Sequence, residues 1–369
     1  MKVAIIGAGL SGCTIGRLLK DKGHDVTVFE KEKTIGGLCA TATHKGRAYQ
    51  LFGPHNFHTD NATVRRFICR FTEFNDYVHH KGICVNGKVL PYPVSYETIN
   101  ELPERVQILR ELSRRPANID MENFERCVIS IIGRTLYKKF IENYTGKFWG
   151  ISPRKIEADW VQKRIEIRQD NSLGYFKDEW QGLPVYGYTN MFERMMQGIT
   201  VHCGVEIKDY GDLKYDLIIS TTPIDELFHF KFGRLKYRGV RFTVNFDDGV
   251  WEDKKYGCIN YPNNDVPYIR KSNYSIAYQD NSSGPYIVGY DFPDAKSRMY
   301  PFYTIENKKI LNKYLGHLIK IKNLVSIGRL GLFRYYDMDE AIGWCLDNAE
   351  NVERYQDLSF QERARLLNL

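Results

Sequence analysis

Residues 2–12 read Lys2-Val-Ala-Ile-Ile-Gly7-Ala-Gly9-Leu-Ser-Gly12, a short apolar strand followed by three glycines in the spacing G-x-G-x-x-G. A helical pattern continues to Lys22, and a second strand, Asp25-Val-Thr-Val-Phe-Glu30, ends in an acid. A glycine turn between strand and helix, with an acid closing the next strand, is typical of dinucleotide-binding βαβ units. The sequence therefore predicts an α/β protein that opens with a Rossmann-like domain.

Each glycine of the turn has a distinct expected role. Gly7 makes the tight turn, Gly9 lets the backbone approach a pyrophosphate, and Gly12 lets the helix pack on the strand. The amino-terminal end of the helix, which begins with Leu10 and Ser11, then faces the phosphates, because its first N–H groups and its dipole favour an anion. These five residues are predicted to bind a cofactor.

The segment after the second strand indicates which dinucleotide is bound. Glu30 is placed to accept a hydrogen bond from a ribose hydroxyl. The chain continues Lys31-Glu-Lys-Thr-Ile-Gly36-Gly37-Leu38, and a glycine pair here is typical of FAD proteins rather than simple NAD dehydrogenases. We therefore expect FAD, with Glu30, Lys31, Gly36, Gly37 and Leu38 close to it.

Length, composition and charge indicate the number of domains and the kind of binding partner. The chain has 369 residues, 43% of them hydrophobic, which predicts an ordinary globular protein of two or three domains. The net charge of +7 comes without a long basic block, so we expect no nucleic-acid partner. A nucleotide diphosphate suits the sign of this charge, and the 14% of aromatic residues suits bases and sugars.

Cysteine spacing and hydropathy indicate a reduced, cytoplasmic protein. The eight cysteines contain no C-x-x-C pair, so we expect buried thiols, neither a disulfide scaffold nor a metal site. No apolar run reaches the roughly 18 residues of a membrane span, and no signal peptide precedes Lys2. We predict no membrane partner.

The predicted domains are discontinuous. We expect further strands of the dinucleotide fold at residues 200–207, 215–223 and 325–329. The segments between them have a helical pattern over 94–144 and a strand-like pattern over 161–188 and 235–290. A final helix is expected from the N-cap Asp337 to about Cys345. The predicted parts are a Rossmann-like domain (1–80, about 195–235 and 310–349), a helical domain (about 94–150), an antiparallel sheet domain (about 81–93, 151–194 and 236–309) and a tail (350–369).

Several segments, in order along the chain, resemble the bacterial UDP-galactopyranose mutases. Together they are specific, although no single one is decisive. They are Gly53-Pro-His55-Asn-Phe-His58-Thr, Val128-Ile-Ser-Ile-Ile-Gly-Arg-Thr-Leu-Tyr, Phe140-Ile-Glu-Asn-Tyr144-Thr-Gly-Lys-Phe-Trp149, Lys163-Arg164-Ile-Glu-Ile-Arg168, Gly182-Leu-Pro-Val-Tyr-Gly-Tyr-Thr, Pro223-Ile-Asp, Val266-Pro-Tyr268-Ile-Arg270, and Arg329 with Tyr335-Tyr336-Asp337-Met338.

The resemblance implies a fold, a cofactor and a reaction. The fold is an FAD-binding Rossmann-like domain with a helical-bundle insert and a twisted antiparallel β-sheet domain. The reaction interconverts UDP-galactopyranose and UDP-galactofuranose without net redox: N5 of the reduced flavin attacks the anomeric carbon and expels the nucleotide diphosphate. The flavin is kept reduced, with NAD(P)H as the expected external reductant. The family often forms homodimers.

The resemblance also implies roles for particular residues. Arg168 and Arg270 match the two diphosphate clamps, and guanidinium forks suit phosphate. His55 matches the catalytic histidine beside the flavin, and His58 is a weaker candidate. Residues similar to the family's substrate pocket are Tyr144, Trp149, Arg164, Trp180, Tyr268, Tyr300, Tyr335 and Asp337. Gly328 and Arg329 resemble the late flavin-binding motif, and Met338 is expected to contact the cofactor as well.

Three alternatives stay open from the sequence. Trp180, Leu38 and Pro54 depart from the usual family residues, so the same chemistry on UDP-N-acetylgalactosamine or dTDP-fucose is possible. A flavin oxidase of the amine or protoporphyrinogen type shares the first and last motifs, but should lack the Arg168/Arg270 pair and react with oxygen. GDP-dissociation inhibitors of small GTPases share the fold without a working flavin pocket, whereas here the glycine motifs are intact.

Overall fold

A computed structural model describes residues 1–158, 161, 165–169, 174–248, 251–279, 285–367 and 369. The chain forms two compact units, each assembled from separate segments. The first unit comprises Met1–Asp76, Asp178–Tyr237 and Arg298–Leu369, and the second comprises Tyr77–Lys177 and Arg238–Ser297. The division into three domains made from the sequence stays a prediction.

A five-stranded parallel sheet forms the centre of the first unit. The strands that sequence patterns indicated near residues 200, 217 and 325 are confirmed, and they flank the two amino-terminal strands. In spatial order they are Leu324–Ser326, Leu217–Ser220, Lys2–Ile6, Asp25–Glu30 and Thr200–Cys203. The apolar side chains of the central strand are buried, so this sheet anchors the glycine turn that follows it.

Helices and small strands complete the first unit. The strands pair as two short antiparallel ladders, Thr41–His44 with Arg47–Gln50 and Phe57–Thr59 with Trp180–Gly182, beside a two-residue strand, Tyr300–Pro301. The helices are Leu10–Asp21, Ala62–Ile68, Gly187–Met195, Ile224–Leu227, Ile305–Leu318, Gly328–Gly331, Met338–Glu353 and Phe360–Leu367.

The helix Met338–Glu353 begins where the sequence predicted and ends later. Asp337 is its N-cap, and the carboxylate of Glu340 accepts a hydrogen bond from the N–H of Asp337 at 2.9 Å. The predicted end near Cys345 is wrong, because buried Ala349 and Val352 extend the apolar stripe at helical spacing. The predicted tail from residue 350 thus begins inside a helix.

The second unit contains six strands of a mixed sheet. Neighbouring strands are antiparallel except for Lys81–Val85 and Cys258–Asn260, which pair in parallel. This confirms the β-rich character predicted for 235–290. In spatial order the strands are Tyr237–Asp248, Tyr286–Asp294, Arg270–Asn273, Cys258–Asn260, Lys81–Val85 and Lys88–Tyr92.

Helices dominate residues 94–150 of this unit, as the pattern indicated. The continuous helical pattern from Phe124 to Asn143 is nevertheless interrupted at Gly133, whose φ of +82° ends the first helix. A π-helical turn, Tyr137–Glu142, follows. The α-helices of the unit are Tyr96–Asn100, Arg105–Ser113, Phe124–Ile132, Arg134–Leu136, Asn143–Trp149 and Tyr274–Ala277.

The strand-like character predicted for residues 161–188 is mostly wrong. In the described part of that range, the strand Trp180–Gly182 is accompanied only by isolated bridges at Arg168, Gly174 and Pro184, and a helix begins at Gly187. Aromatic content there reflects packing rather than pairing into a sheet. No helix in the described ranges is both long and apolar enough to cross a membrane.

Candidate functional site

The glycine turn of the first unit is tightly packed at Gly7 and Gly12 and leaves open space at Gly9. Gly7 has a φ of +102°, and a Cβ there would lie 2.2 Å from Oγ1 of Thr221. A Cβ on Gly12 would lie 2.0 Å from the carbonyl oxygen of Gly7. At Gly9, by contrast, φ is −81° and a Cβ would meet only the Cα of Gly37, at 3.8 Å. Packing explains Gly7 and Gly12, whereas the absent side chain at Gly9 leaves space for a ligand.

The helix Leu10–Asp21 presents its amino-terminal end at that space. Gly9 is the N-cap and has no side chain with which to cap the first N–H groups, those of Leu10, Ser11 and Gly12. Uncapped amides and the positive end of the helix dipole favour a phosphate. The turn therefore fits the pyrophosphate of FAD.

The second glycine pair lies against the first turn, as predicted. Gly36 forms a parallel bridge with Gly9, and its N–H donates to the carbonyl of Ala8 at 2.8 Å. A Cβ on Gly37 would lie 3.0 Å from the Cα of Gly9, so the two chains approach at backbone distance. Leu38 is half-buried in the short 3₁₀ turn that follows. The two glycine segments therefore lie side by side at the open space in front of Gly9.

Glu30 is buried beside the turn and orders the adjacent loop. Its carboxylate accepts hydrogen bonds from the N–H groups of Ala8 at 2.7 Å and Glu32 at 2.9 Å. Each carboxylate oxygen can accept more than one hydrogen bond, so capacity for a ribose hydroxyl remains. Lys31 next to it is exposed. The residues present thus fit the adenosine half of FAD.

His55 is held in a fixed orientation by four hydrogen bonds, one from its ring and three to its backbone. Nδ1 lies 2.9 Å from the carbonyl of Gly53, so Nδ1 donates and, in the neutral ring, Nε2 is the acceptor. The side-chain amide of Gln50 bonds both the N–H and the carbonyl of His55, and the hydroxyl of Tyr188 donates to that carbonyl at 3.0 Å. His58 instead pairs with Asp178 at 2.8 Å.

Tyr300 and Tyr335 are brought together by the fold. Their rings are stacked with centroids 6.0 Å apart and planes at 18°. The guanidinium of Arg329 lies 5.3 Å from the first ring and 5.0 Å from the second, and its Nε donates to the carbonyl of Tyr336 at 3.2 Å. Three sequence-predicted residues therefore form one group, and Asp337, two residues after Tyr335, caps the next helix.

The late flavin motif also touches the glycine turn. Gly328 has a φ of +79°, and a Cβ there would lie 2.8 Å from Oγ of Ser11. The start of the helix Gly328–Gly331 therefore approaches the helix that begins at Leu10. Met338, the first residue of the long helix, is buried.

Trp180 is placed in an aromatic cluster rather than alone at a surface. Its ring lies edge-on to Phe57 at 5.8 Å and to Phe74 at 4.9 Å. The guanidinium of Arg65 covers the ring at 5.0 Å. Its strand pairs with the strand Phe57–Thr59, which begins two residues after His55. A contribution of Trp180 to substrate binding stays a prediction.

In the second unit, Arg168 is buried and fixed on both sides of its guanidinium. Nη2 donates to the carbonyl of Tyr175 at 2.8 Å, and Nε lies 2.6 Å from Oε1 of Glu166. Its own N–H donates to the carbonyl of Val94. Only 6% of the residue is exposed, so its charge acts in a medium that screens poorly.

Arg270 lies opposite Asp291 on neighbouring strands. Its Nε donates to Oδ2 of Asp291 at 2.6 Å, and Nη2 donates to the same oxygen. Burial raises the pKa of the Asp291 carboxyl above its ordinary value, although the charges of Arg270 and Lys81 oppose that rise. The guanidinium is thus held by a fully buried acid.

Tyr144 and Tyr268 lie near this pair. Burial raises the pKa of the Tyr144 phenol, and the charges of Arg270 and Asp291 also act on it. The ring of Tyr268 packs edge-on against Tyr290 at 5.3 Å. Trp149 packs edge-on against Phe148 at 5.1 Å, and Arg164 lies outside the described residues.

Lys147 fixes the loop that carries Tyr268. Its ammonium donates to the carbonyls of Val266 at 3.1 Å and Tyr268 at 3.0 Å, and also to that of Asn263. One lysine therefore ties the end of the helix Asn143–Trp149 to the residues just before Arg270.

Sequence reasoning missed Lys81, Tyr175 and Asp291, which contact or act on the two arginines. A weak signal existed for Lys81, because it alternates in phase with buried Ile83 and Val85. In the described ranges, no cluster of three or more His, Cys, Asp or Glu is arranged to hold a metal ion.

The fold and the glycine site define a dinucleotide-binding protein of the Rossmann-like class, and residues 5–71 match the model of the NAD(P)-binding Rossmann-like domain. Residues 139–335, more than half of the chain, match the family model of UDP-galactopyranose mutase. The chain belongs to the UDP-galactopyranose mutase family and is an isomerase of that type.

Named relatives cover nearly the whole chain. A probable UDP-galactopyranose mutase of Klebsiella pneumoniae is 29% identical over 364 residues, with 94% of each chain covered. The dTDP-fucopyranose mutase of Escherichia coli is 30% identical over 373 residues, with 95% of this chain and 97% of the relative covered.

Solved structures share the fold. A crystal structure of reduced UDP-galactopyranose mutase has a TM-score of 0.80 at 19% identity, covering 99% of this chain and 98% of the other. A putative protoporphyrinogen oxidase from Exiguobacterium has a TM-score of 0.68 at 11% identity, covering 95% and 98%. Both likenesses concern the fold alone.

Proposed function

We propose that the protein interconverts UDP-galactopyranose and UDP-galactofuranose with reduced FAD, which NAD(P)H keeps reduced. The observation that carries this proposal is the pair of arginines in the second unit, Arg168 and Arg270, each fixed by an acceptor of the chain. A sugar-nucleotide mutase must hold a diphosphate before and after its bond to the sugar breaks. Two immobile guanidinium groups suit that task.

The residues of the first unit fit FAD. The open face of Gly9, the uncapped helix and the acceptor Glu30 suit the pyrophosphate and ribose. When bound and reduced, FAD supplies a nucleophile for the anomeric carbon, with no net oxidation of the sugar. The chain itself supplies binding, orientation and fixed charge.

Arg168 and Arg270 stabilise the diphosphate as its charge grows. Because both side chains are held before substrate binds, their dipoles and charges need no reorganisation during the reaction. Nε2 of His55 is oriented as an acceptor and can hold a sugar hydroxyl. Tyr144 offers a face for the nucleobase, and the stacked pair Tyr300 and Tyr335 offers phenol hydroxyls for the sugar diphosphate.

The second candidate is the same chemistry on dTDP-fucopyranose. One observation favours it: the relatives named for the UDP and dTDP substrates are 29% and 30% identical to this chain over nearly all of its length. UDP-N-acetylgalactosamine is a third nucleotide sugar to compare. These candidates differ in nucleobase and sugar, not in the diphosphate that Arg168 and Arg270 would bind.

The test is a comparison of nucleotide sugars with dithionite-reduced protein. We expect a ring-contracted product of unchanged mass from UDP-galactopyranose, resolved by chromatography, and no product from the oxidised protein. Faster conversion of dTDP-fucopyranose would select the second candidate. Oxygen or nicotinamide consumed in proportion to product, with a change of mass, would instead indicate an amine-oxidase-like flavin oxidoreductase.

A further inference from the structure

Lys81 is a buried lysine in the second unit, close to the two arginines. It begins the strand Lys81–Val85 and is only 7% exposed. Its ammonium lies 4.4 Å from the ring centroid of Tyr175 and 5.8 Å from that of Tyr92. Among the described residues, no hydrogen-bond acceptor or carboxylate contacts this ammonium.

Tyr175 links Lys81 to Arg168, and Asp291 links it to Arg270. The backbone carbonyl of Tyr175 accepts from Arg168, while its ring faces Lys81. The charge of Lys81 acts on the carboxyl of Asp291, which is paired with Arg270. Lys81 is therefore linked both to the residue that accepts from Arg168 and to the acid that pairs with Arg270.

The charges of this group do not balance. Arg168 is paired with Glu166, and Arg270 with Asp291, so the charge of Lys81 is in excess. Burying most of a charged side chain without an ionic partner is unfavourable, and cation–π contacts recover only about 0.5–2 kcal/mol. An anion that enters this group would be bound by an unpaired, poorly screened positive charge.

We propose that Lys81 is a third cation of the diphosphate site and binds the nucleotide diphosphate together with Arg168 and Arg270. The inference rests on the proposed function, which supplies the diphosphate. A lysine contributes a compact point charge, whereas each arginine contributes a directional fork. The lysine therefore adds affinity for the phosphates without selecting the base or the sugar.

The chain offers a matched control. Lys271 is equally buried at 7% exposure, and it also lies over aromatic rings, those of Trp251 and Tyr290. Unlike Lys81, it has an anionic partner, Glu252, at 2.7 Å. Its charge is already balanced, so its removal should not change affinity for phosphate.

The experiment measures binding of UDP and of uridine to FAD-loaded protein by calorimetry. Lys81→Met should weaken UDP binding at least about tenfold, the size expected for one charge-assisted contact, and leave uridine binding unchanged. Lys81→Arg should retain most of the UDP affinity, and Lys271→Met should bind both ligands as the wild type does. If Lys81→Met does not fold, Lys81→Gln serves the same comparison.

Two results would overturn the inference. One is unchanged UDP affinity in the folded Lys81 variants. The other is an equal loss for UDP and uridine, which would make Lys81 a structural residue of the pocket. In either case a wild-type protein that still converts a nucleotide sugar keeps its proposed function. Failure of the wild type to bind any nucleotide diphosphate would reject that function itself.

Discussion

Asp291 receives two hydrogen bonds from Arg270 on one carboxylate oxygen, Oδ2. Its other oxygen, Oδ1, is buried and has no hydrogen-bond partner among the residues that the structure describes. A guanidinium has five N–H donors, and this contact uses two of them to fix Arg270. The two hydrogen bonds fix the position of the Arg270 guanidinium. In turn, the buried charge of Asp291 depends on Arg270 for its neutralisation.

This dependence determines how Arg270 should be tested. Arg270→Ala leaves a fully buried carboxylate without its cation, which should cost about 3–5 kcal/mol of the free energy of unfolding. Adding Asp291→Asn should restore much of the stability, measured by denaturant unfolding. It should not restore turnover, since the diphosphate still lacks its guanidinium.

The control for this comparison is Arg154→Ala, because Arg154 is an exposed arginine of the same unit paired with Glu125. We expect wild-type activity from it. A double variant Arg270→Ala/Asp291→Asn with wild-type kcat/KM would show that Arg270 only balances a buried acid.

Arg168→Ala should affect catalysis and cost less stability than Arg270→Ala. Its partner Glu166 is one-third exposed and can be solvated once the guanidinium is removed. A contact worth roughly 1.5–3 kcal/mol predicts a loss of about 10- to 150-fold in kcat/KM. The negative charge on the diphosphate needs the most stabilisation as the bond to the sugar breaks. We therefore expect kcat to fall at least as much as KM rises, with unchanged FAD content. A pure KM effect would contradict this.

Gly9→Val tests the cofactor site without disturbing the protein's own packing. The backbone at Gly9 tolerates a side chain, and the space in front of it is open. We expect a folded, colourless protein, measured by circular dichroism and flavin absorbance. Gly12→Ala is the contrasting variant: its Cβ would collide with the carbonyl of Gly7, so stability should fall as well. Stoichiometric FAD in Gly9→Val would refute the assigned site.

The acid stability of the first unit should depend on Glu353. Its carboxylate contacts Lys22 at 2.5 Å and His24 at 2.9 Å, and the hydrogen bond from Lys22 is the main reason that its pKa is lowered. A carboxyl with a lowered pKa stabilises the fold above its ordinary pKa of about 4.3, and this stability is lost as the pH falls through the folded value.

Glu353→Gln should therefore unfold more easily at pH 7, by about 0.2–1 kcal/mol. The difference should shrink as the pH falls below about 4.3 and vanish below the folded-state pKa of Glu353. Thermal unfolding across pH measures it. Glu350→Gln is the matched control on the same helix, since its contact with Arg354 is 3.9 Å long and exposed. A deficit that persists unchanged at pH 3 would assign the effect to packing instead of charge.

Local patterns predicted the first unit well. The turn from Gly7 to Gly12 and the acid Glu30 lie within one βαβ unit, so their spacing in sequence determines their contacts. The N-cap Asp337 is likewise a local feature. Resemblance located Arg168 and Arg270, but their acceptors came only from the structure.

Long-range register was not predictable in the same way. Arg270 faces Asp291 because two strands pair in one particular register, and a shift by one residue would turn the acid to the other face. The position of Lys81 depends on a parallel pairing with Cys258, far along the chain. The strand propensity of individual residues does not predict which strands pair, because the pairing depends on tertiary packing.

The order of segments in the first unit has a consequence for biosynthesis. Its parallel sheet needs the strand Leu324–Ser326, and its first helix is tied through Lys22 to Glu353. The residues from 77 to 177 and from 238 to 297, which form the second unit, are all synthesised before those pieces. On the ribosome, the second unit therefore emerges complete while the first unit still waits for its final segment. A chain cut short near its end would retain Arg168 and Arg270 but lack part of the parallel sheet that anchors the glycine turn.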